Sequence, residues 1–143
     1  KFSVEVPAEL LMVPMDPILI EQVLSNLIEN AVIHGQTTTA IHLRAEKTED
    51  NFAAFSVRDN GQGISPALLP HLFDYSIRHA SPPTGDGKRN MGLGLSVCSA
   101  VVKAHGGRLT AHNHPDGAEF IFCLPMPPAD PTISTDLSEE ETL

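Results

Sequence analysis

Apolar and polar residues alternate through residues 2–6, Phe-Ser-Val-Glu-Val, and Pro7 ends the run. Alternation of period two places one set of side chains on one face, so the spacing predicts a strand. Residues 10–13 form a short apolar run that reads as a second small strand. At Asp16-Pro17 the period changes. Asp supplies a helix cap and Pro the first helical position. Ile20, Val23, Leu24, Leu27, Ile28 and Ala31 then recur as one wide stripe, which predicts a helix from residue 17 to about residue 34, closed by Gly35.

Alternation returns in residues 41–45 and 53–59, and the polar residues 48–51 between them make a hairpin turn. Residues 66–73 read as a short helix capped by Ser65. Residues 74–90 hold two Pro and two Gly with no apolar period, and read as a long binding loop or lid. Met91 opens a second helix, with Val97, Cys98, Val101, Val102 and Ala104 apolar and Gly106-Gly107 as its stop. Residues 108–113 and 118–124 are the last two strands, joined by Pro115-Asp116-Gly117. Phe120, Phe122 and Leu124 share a face.

Candidate chemistry follows from where polar residues fall in these patterns. Phe55 and Val57 are inward positions, so by parity Asp59 points inward as well. A buried acid is costly unless something pairs with it. It opens Asp59-Asn60-Gly61-Gln62-Gly63-Ile64, whose glycines let the backbone bend or approach a bound group. The same residues also make ordinary surface turns. Gln22, Asn26 and Asn30 lie along one line of the first helix, where Asn is a poor helix former. Such a line is more often a solvated face. An amide oxygen nevertheless suits Mg²⁺, and the amide NH2 can donate to a phosphate. Arg78, Lys88 and Arg89 could face an anion or be plain surface bases. Gly92-Leu93-Gly94-Leu95, read as a helix start, would offer free backbone N–H groups to an anion.

Composition narrows the field. The 143 residues fit one domain, with no Trp and one Tyr, so the core is aliphatic with some Phe. The net charge of −9 is concentrated at the end. Without the five acids beyond Pro125, 13 acids stand against nine bases, so no broad nucleic-acid surface is expected. Residues 126–143 read as an acidic, Pro-rich disordered tail after a folded unit of residues 1–125. Cys98 and Cys123 lack metal or redox spacing and read as two buried thiols. No apolar run is long enough to span a bilayer. The opening residues run straight into a strand, as expected of a piece of a longer protein.

The motifs, in order, resemble those of sensor histidine kinases. Asn26-Leu27-Ile28-Glu29-Asn30-Ala31 resembles the N box, residues 59–64 the first glycine box, Leu72-Phe73-Asp74 the F box and residues 92–95 the second glycine box. His105-Gly106-Gly107, Gly117-Ala118-Glu119-Phe120 and Leu124-Pro125 also fit. Residues 29–32 and 109–113 are similar to the Kdp potassium-responsive sensor kinases. The resemblance implies an α/β sandwich of the Bergerat (GHKL) type: a mixed, mostly antiparallel sheet, helices packed on one face and a flexible ATP lid. It implies that Asp59 accepts a hydrogen bond from the adenine amino group, with Gly61, Gly63, Ile64, His34 and Phe73 around the nucleotide. Asn30, with Asn26 beside it, would hold Mg²⁺. Arg78, Lys88, Arg89 and the backbone of Gly92, Leu93, Gly94 and Leu95 would face the phosphates. Asn26, Asn30 and Arg78 would be the catalytic set.

The implied reaction is transfer of the ATP γ-phosphoryl to a histidine on a separate dimerisation domain, upstream of a response regulator. The implied setting is the cytoplasmic part of a membrane-anchored kinase, touching the membrane only through parts absent here. None of the seven His has the acceptor context. The sequence departs from the family at Ile33, commonly Lys; at His34, commonly aromatic; at Ser76, the second F-box aromatic; and at Asn90, commonly Gly. These departures keep a nucleotide-sensing module without transfer in view. A GHKL ATPase would place Glu where Asn26 stands, and Glu29 points about 100° away from Asn30. A serine kinase shares the fold.

Overall fold

The structure is a computed structural model that describes residues 1–9, 11–34, 37–74 and 86–127, with the side chains of residues 34 and 86–93 left aside. Five strands form one sheet: β1 (Phe2–Glu5), β2 (Ile41–Lys47), β3 (Phe52–Asp59), β4 (Arg108–His114) and β5 (Gly117–Pro125). Their order is β1-β2-β3-β5-β4. β1 runs parallel to β2, and every other pairing is antiparallel. Two helices, α1 (Pro17–His34) and α2 (Asp86–Ala104), pack on each other and on one face of this sheet. This is the mixed, mostly antiparallel sandwich that the sequence led us to expect.

α1 forms where its stripe and cap require. The Asp16 Oδ1 accepts from the N–H of Ile18 at 3.0 Å and of Leu19 at 3.2 Å, which satisfies two donors that the first turn leaves free. Ile20, Val23, Leu27 and Ala31 are buried and meet Leu95, Cys98 and Val102 of α2, together with Val57, Phe120, Phe122 and Leu124 from the sheet. Phe55 stacks on Phe122 across the β3–β5 pair, with ring centroids 4.9 Å apart. α2 stops in a double bond: Gly107 N–H donates to Val102 O and Gly106 N–H to Lys103 O, both at 2.9 Å, with Gly106 at φ 81°. The His105 Nε2 accepts from the Asp16 N–H at 3.0 Å, tying the end of α2 to the start of α1.

Four expectations change. Residues 11–13 form no strand, and Leu10 lies outside the described residues. The helix expected over 66–73 is one 3-10 turn, Leu69–His71, without a side-chain cap. Ser65 acts instead through its carbonyl, which accepts from Leu68 and Leu69 N–H, both at 3.0 Å. α2 begins at Asp86, not Met91, so residues 86–90 are helical rather than loop. A helical glycine costs only about 1 kcal/mol, and a cooperative helix anchored by buried Leu95, Cys98 and Val102 extends through Gly92 and Gly94. Cys123 is half-buried rather than buried, because it sits between Phe122 and Leu124 and so faces the outer side of the sheet. Residues 75–85 and 128–143, which include the rest of the expected loop and nearly all of the expected tail, lie outside the described residues.

Candidate functional site

β3 delivers Asp59 to one end of the sheet. Its register with Ile41 puts it on the helix side, and it is 6% exposed. The Asp59 Oδ1 accepts from the Gly61 N–H at 2.8 Å and the Ala118 N–H at 3.4 Å. Among the described residues nothing donates to Oδ2, and no cation pairs with the group. An acid this buried, with one oxygen free of donors, is arranged to receive one from outside the chain. The inward acid read from strand parity is therefore where it was expected.

The loop after Asp59 is pinned at both ends. The Asn60 Oδ1 accepts from Thr39 and Ala40 N–H, both at 2.9 Å, and its Nδ2 donates to Thr39 Oγ1 at 2.9 Å. That joins the end of β3 to the segment following α1. At the other end, the Asn113 Oδ1 accepts from Ile64 N–H at 2.8 Å, and its Nδ2 donates to Ile64 O at 2.7 Å. Gly63 between them has φ 83°, a backbone conformation suited to glycine. Gly117 meets the site from β5: a Cβ there would stand 2.0 Å from the Asp59 carbonyl oxygen. Asn60, Asn113 and Gly117 are not among the site residues expected from the sequence. Asn113 left a trace, being a polar residue at the inward parity of Leu109 and Ala111.

α1 leads into this end, since Thr39 and Ala40 after it are bonded to Asn60. The Asn30 Oδ1 is buried and has no hydrogen-bond partner among the described residues. An orphaned amide oxygen is a hard donor atom whose acceptor capacity is unfilled. Asn26 packs against Gly94 of α2, whose added Cβ would lie 3.6 Å from its Cγ. It stands in the seam between α1 and α2, and Asn30 carries the buried amide oxygen without a partner among the described residues. Glu29 is exposed, turned away from Asn30. No group of three or more His, Cys, Asp or Glu that could hold a metal occurs among the described residues.

The other expected site residues divide. Phe73 packs on the core and lies edge-on to Phe120, with centroids 6.3 Å apart. Arg78 and Ser76 lie outside the described residues, as do the side chains of His34, Lys88 and Arg89. The glycine-box backbone is a correction. Gly92, Leu93, Gly94 and Leu95 are the seventh to tenth residues of α2, so their N–H groups belong to the helix ladder. The free N–H groups at the helix start are those of residues 86–89.

Cys98 closes the core behind Asn26. Burial pushes its thiol up to about 11, against a smaller pull down from the Asn26 hydrogen bond. Below pH 9 both folded and unfolded chains hold this proton. Between pH 9 and 11 the unfolded chain releases it first, so stability falls with rising pH. That loss should reach about 2–3 kcal/mol at pH 11. Urea unfolding at pH 8.5 and 10.5 checks it, since Cys98→Ala should remove this part of the pH dependence.

Residues 15–128 match the family described as histidine kinase-, DNA gyrase B-, and HSP90-like ATPase. The sensor protein KdpD of Clostridium acetobutylicum is 41% identical over 127 residues, covering 87% of this chain and 14% of KdpD. The sensor histidine kinase component HK1 of Mycobacterium tuberculosis is 37% identical over 118 residues, covering 82% of this chain and 67% of HK1. The chain thus spans a small part of KdpD and about two thirds of HK1. The catalytic domain of histidine kinase ThkA superposes with a TM-score of 0.71 at 31% identity, over 89% of this chain and 80% of that one. ThkA in complex with the response regulator TrrA gives a TM-score of 0.67 at 29% identity, over 88% of this chain and 34% of that one.

Proposed function

The chain belongs to the histidine kinase-, DNA gyrase B-, and HSP90-like ATPase family as a catalytic domain of the sensor histidine kinase type, and on that premise we propose that it binds Mg²⁺–ATP beside Asp59 and passes the γ-phosphoryl to a histidine of another domain. The observation that carries the site is the buried Asp59 carboxylate with no donor on Oδ2. An adenine amino group is the neutral donor that would fill it without adding charge. The Gly61–Ile64 loop would lie along the base, with Phe73 and His34 near it. The phosphates would extend toward Asn30 and the start of α2, where Lys88 and Arg89 stand in the first turns, and Arg78 would be a further cation for them.

Asn30 Oδ1 would hold Mg²⁺, with Asn26 supporting the helix pair behind it. Mg²⁺ keeps most of its ligands from water and phosphate, so one protein oxygen would suffice to place it. When bound, the ion neutralises charge on the phosphates. Transfer breaks the bond between the γ-phosphorus and its bridging oxygen as the acceptor nitrogen bonds to that phosphorus, and ADP leaves. Positioning and charge neutralisation are the protein's share of that step. The partners that follow are the histidine-bearing domain and, by analogy with ThkA, a response regulator. No helix among the described residues is long and apolar enough to cross a membrane. We place the domain on the cytoplasmic side of a sensor whose other parts reach the membrane.

The test mixes the chain with γ-labelled ATP, Mg²⁺ and a dimerisation domain bearing the acceptor histidine. Acid-labile label on that domain is expected. Phosphate release without labelled protein would point to an ATPase, and ATP binding with neither would point to a nucleotide sensor. Asn30→Ala should weaken binding of Mg²⁺–ATP about tenfold, the loss of one charge-assisted contact, and should leave binding in EDTA nearly unchanged. Without nucleotide the variant should be no less stable, because the orphaned oxygen gains nothing in the free protein. Calorimetric titration with and without EDTA reads both effects.

A further inference from the structure

Asn113 and Asp59 stand at opposite ends of one hydrogen-bonded circuit. The Asp59 Oδ1 accepts from the Gly61 N–H, and three residues later Ile64 is held by both amide atoms of Asn113. Asn113 is the ladder partner of Ala118. Ala118 returns the circuit by donating its N–H to the same Asp59 Oδ1. Within this ring, Gly63 is the element with backbone freedom. Its missing Cβ would lie 3.1 Å from Asn113 Oδ1, so the turn and the amide fit each other closely.

A side-chain amide that takes both the N–H and the C=O of one residue imitates a strand neighbour. It fixes Ile64 in distance and in rotation. With Asn60 holding the start of the loop to Thr39 and Ala40, no span longer than Gly61-Gln62-Gly63 is free to move. The circuit uses only Oδ1 of Asp59, and so sets the direction in which Oδ2 points. We propose that Asn113 is a positioning residue for nucleotide recognition, which locks the Gly61–Ile64 loop and the Asp59 carboxylate in their receptive geometry before the base arrives. The role rests on the nucleotide reading above. It concerns the adenine end alone, because Asn113 touches neither α1 nor α2 by any hydrogen bond among the described residues.

The test compares Asn113→Ala and Asn113→Asp with the unchanged chain, using ADP, adenosine and inorganic tripolyphosphate as probes in calorimetric titration. Asp keeps an acceptor for the Ile64 N–H but turns an oxygen toward the Ile64 carbonyl, so it should fail as Ala does. Both variants should lose about tenfold in affinity for ADP and adenosine, the worth of one or two hydrogen bonds, with tripolyphosphate unaffected. Asn51→Ala serves as the control for stability alone. It removes amide bonds to Met126 O and Pro127 O at the opposite end of the sheet, and should lower the melting temperature without changing ADP affinity. Unchanged ADP affinity in Asn113→Ala would overturn the proposal. An equal loss for tripolyphosphate would overturn it too, since the effect would then be general. Failure of the unchanged chain to bind ADP or adenosine would instead remove the nucleotide reading itself.

Discussion

Asp59→Asn should abolish measurable ATP binding while leaving the fold intact. The substitution is isosteric, and its Oδ1 can still accept from Gly61 and Ala118 N–H. What changes is the free position. In the proposed site, Oδ2 becomes an NH2 that would meet the adenine amino group donor to donor. A charge-assisted hydrogen bond is lost, worth about 1.5–3 kcal/mol, and an unsatisfied donor pair is added at a site only 6% exposed. Together these should weaken ATP at least about 100-fold. Removing a buried unpaired charge should at the same time leave stability level or slightly higher. Titration calorimetry and urea unfolding on one preparation separate the two. Undiminished binding would show that the base sits elsewhere.

Gly117→Ala should damage stability and ligand affinity together. Its φ of 155° lies at the edge of what other residues adopt, and its Cβ would stand 2.0 Å from the Asp59 carbonyl oxygen and 2.8 Å from the carbonyl carbon. Those atoms are backbone and cannot swing aside as a side-chain tip would. Either the β4–β5 turn or the end of β3 must shift, at a cost of about 3 kcal/mol, the upper range for overpacking. Because the displaced strand end carries Asp59, nucleotide affinity should fall with stability. Gly106→Ala, at the other end of the sheet, is the comparison: its Cβ meets only the Pro125 ring, at 3.4 Å, and it should cost stability through its φ of 81° without a direct effect on ligand affinity. The urea midpoint and the ADP affinity, measured for both, decide the matter.

Much of this was legible in the sequence. Strand parity alone turned Asp59 inward, and the stripe from Ile20 to Ala31 with its Asp16 cap gave α1 at both ends. The apolar pattern succeeds there because burial of one face decides the structure. It failed where glycine was taken as punctuation. Gly92 and Gly94 sit inside α2, a helix anchored further along by buried Leu95, Cys98 and Val102. Proline and serine over residues 65–70 suggested a capped helix, yet Pro70 supplies no N–H to extend one, and a single 3-10 turn remains. Parity also argued against a buried Cys123, since its neighbours Phe122 and Leu124 already claimed the core. The roles of Asn60, Asn113 and Gly117 depend on contacts between segments distant in the chain, which local periodicity does not encode.

Among the described residues, α1 and α2 leave one edge of the sheet uncovered. Phe2 and Val4 pair with Ile41 and Leu43 and so face the helix side, yet they are 59% and 65% exposed, on a four-residue strand at the sheet edge. Little apolar burial therefore opposes the opening of β1. β3 and β5, by contrast, lie between paired neighbours on both sides and carry Val57, Phe120, Phe122 and Leu124. In hydrogen exchange the domain should therefore behave as two cooperative units of unequal free energy. β1 amides should exchange through a low-energy detachment, and those of β3 and β5 only on global unfolding. The Asn60 bonds to Thr39 and Ala40 do not involve β1. Release of the first strand should thus leave the loop after Asp59 in place.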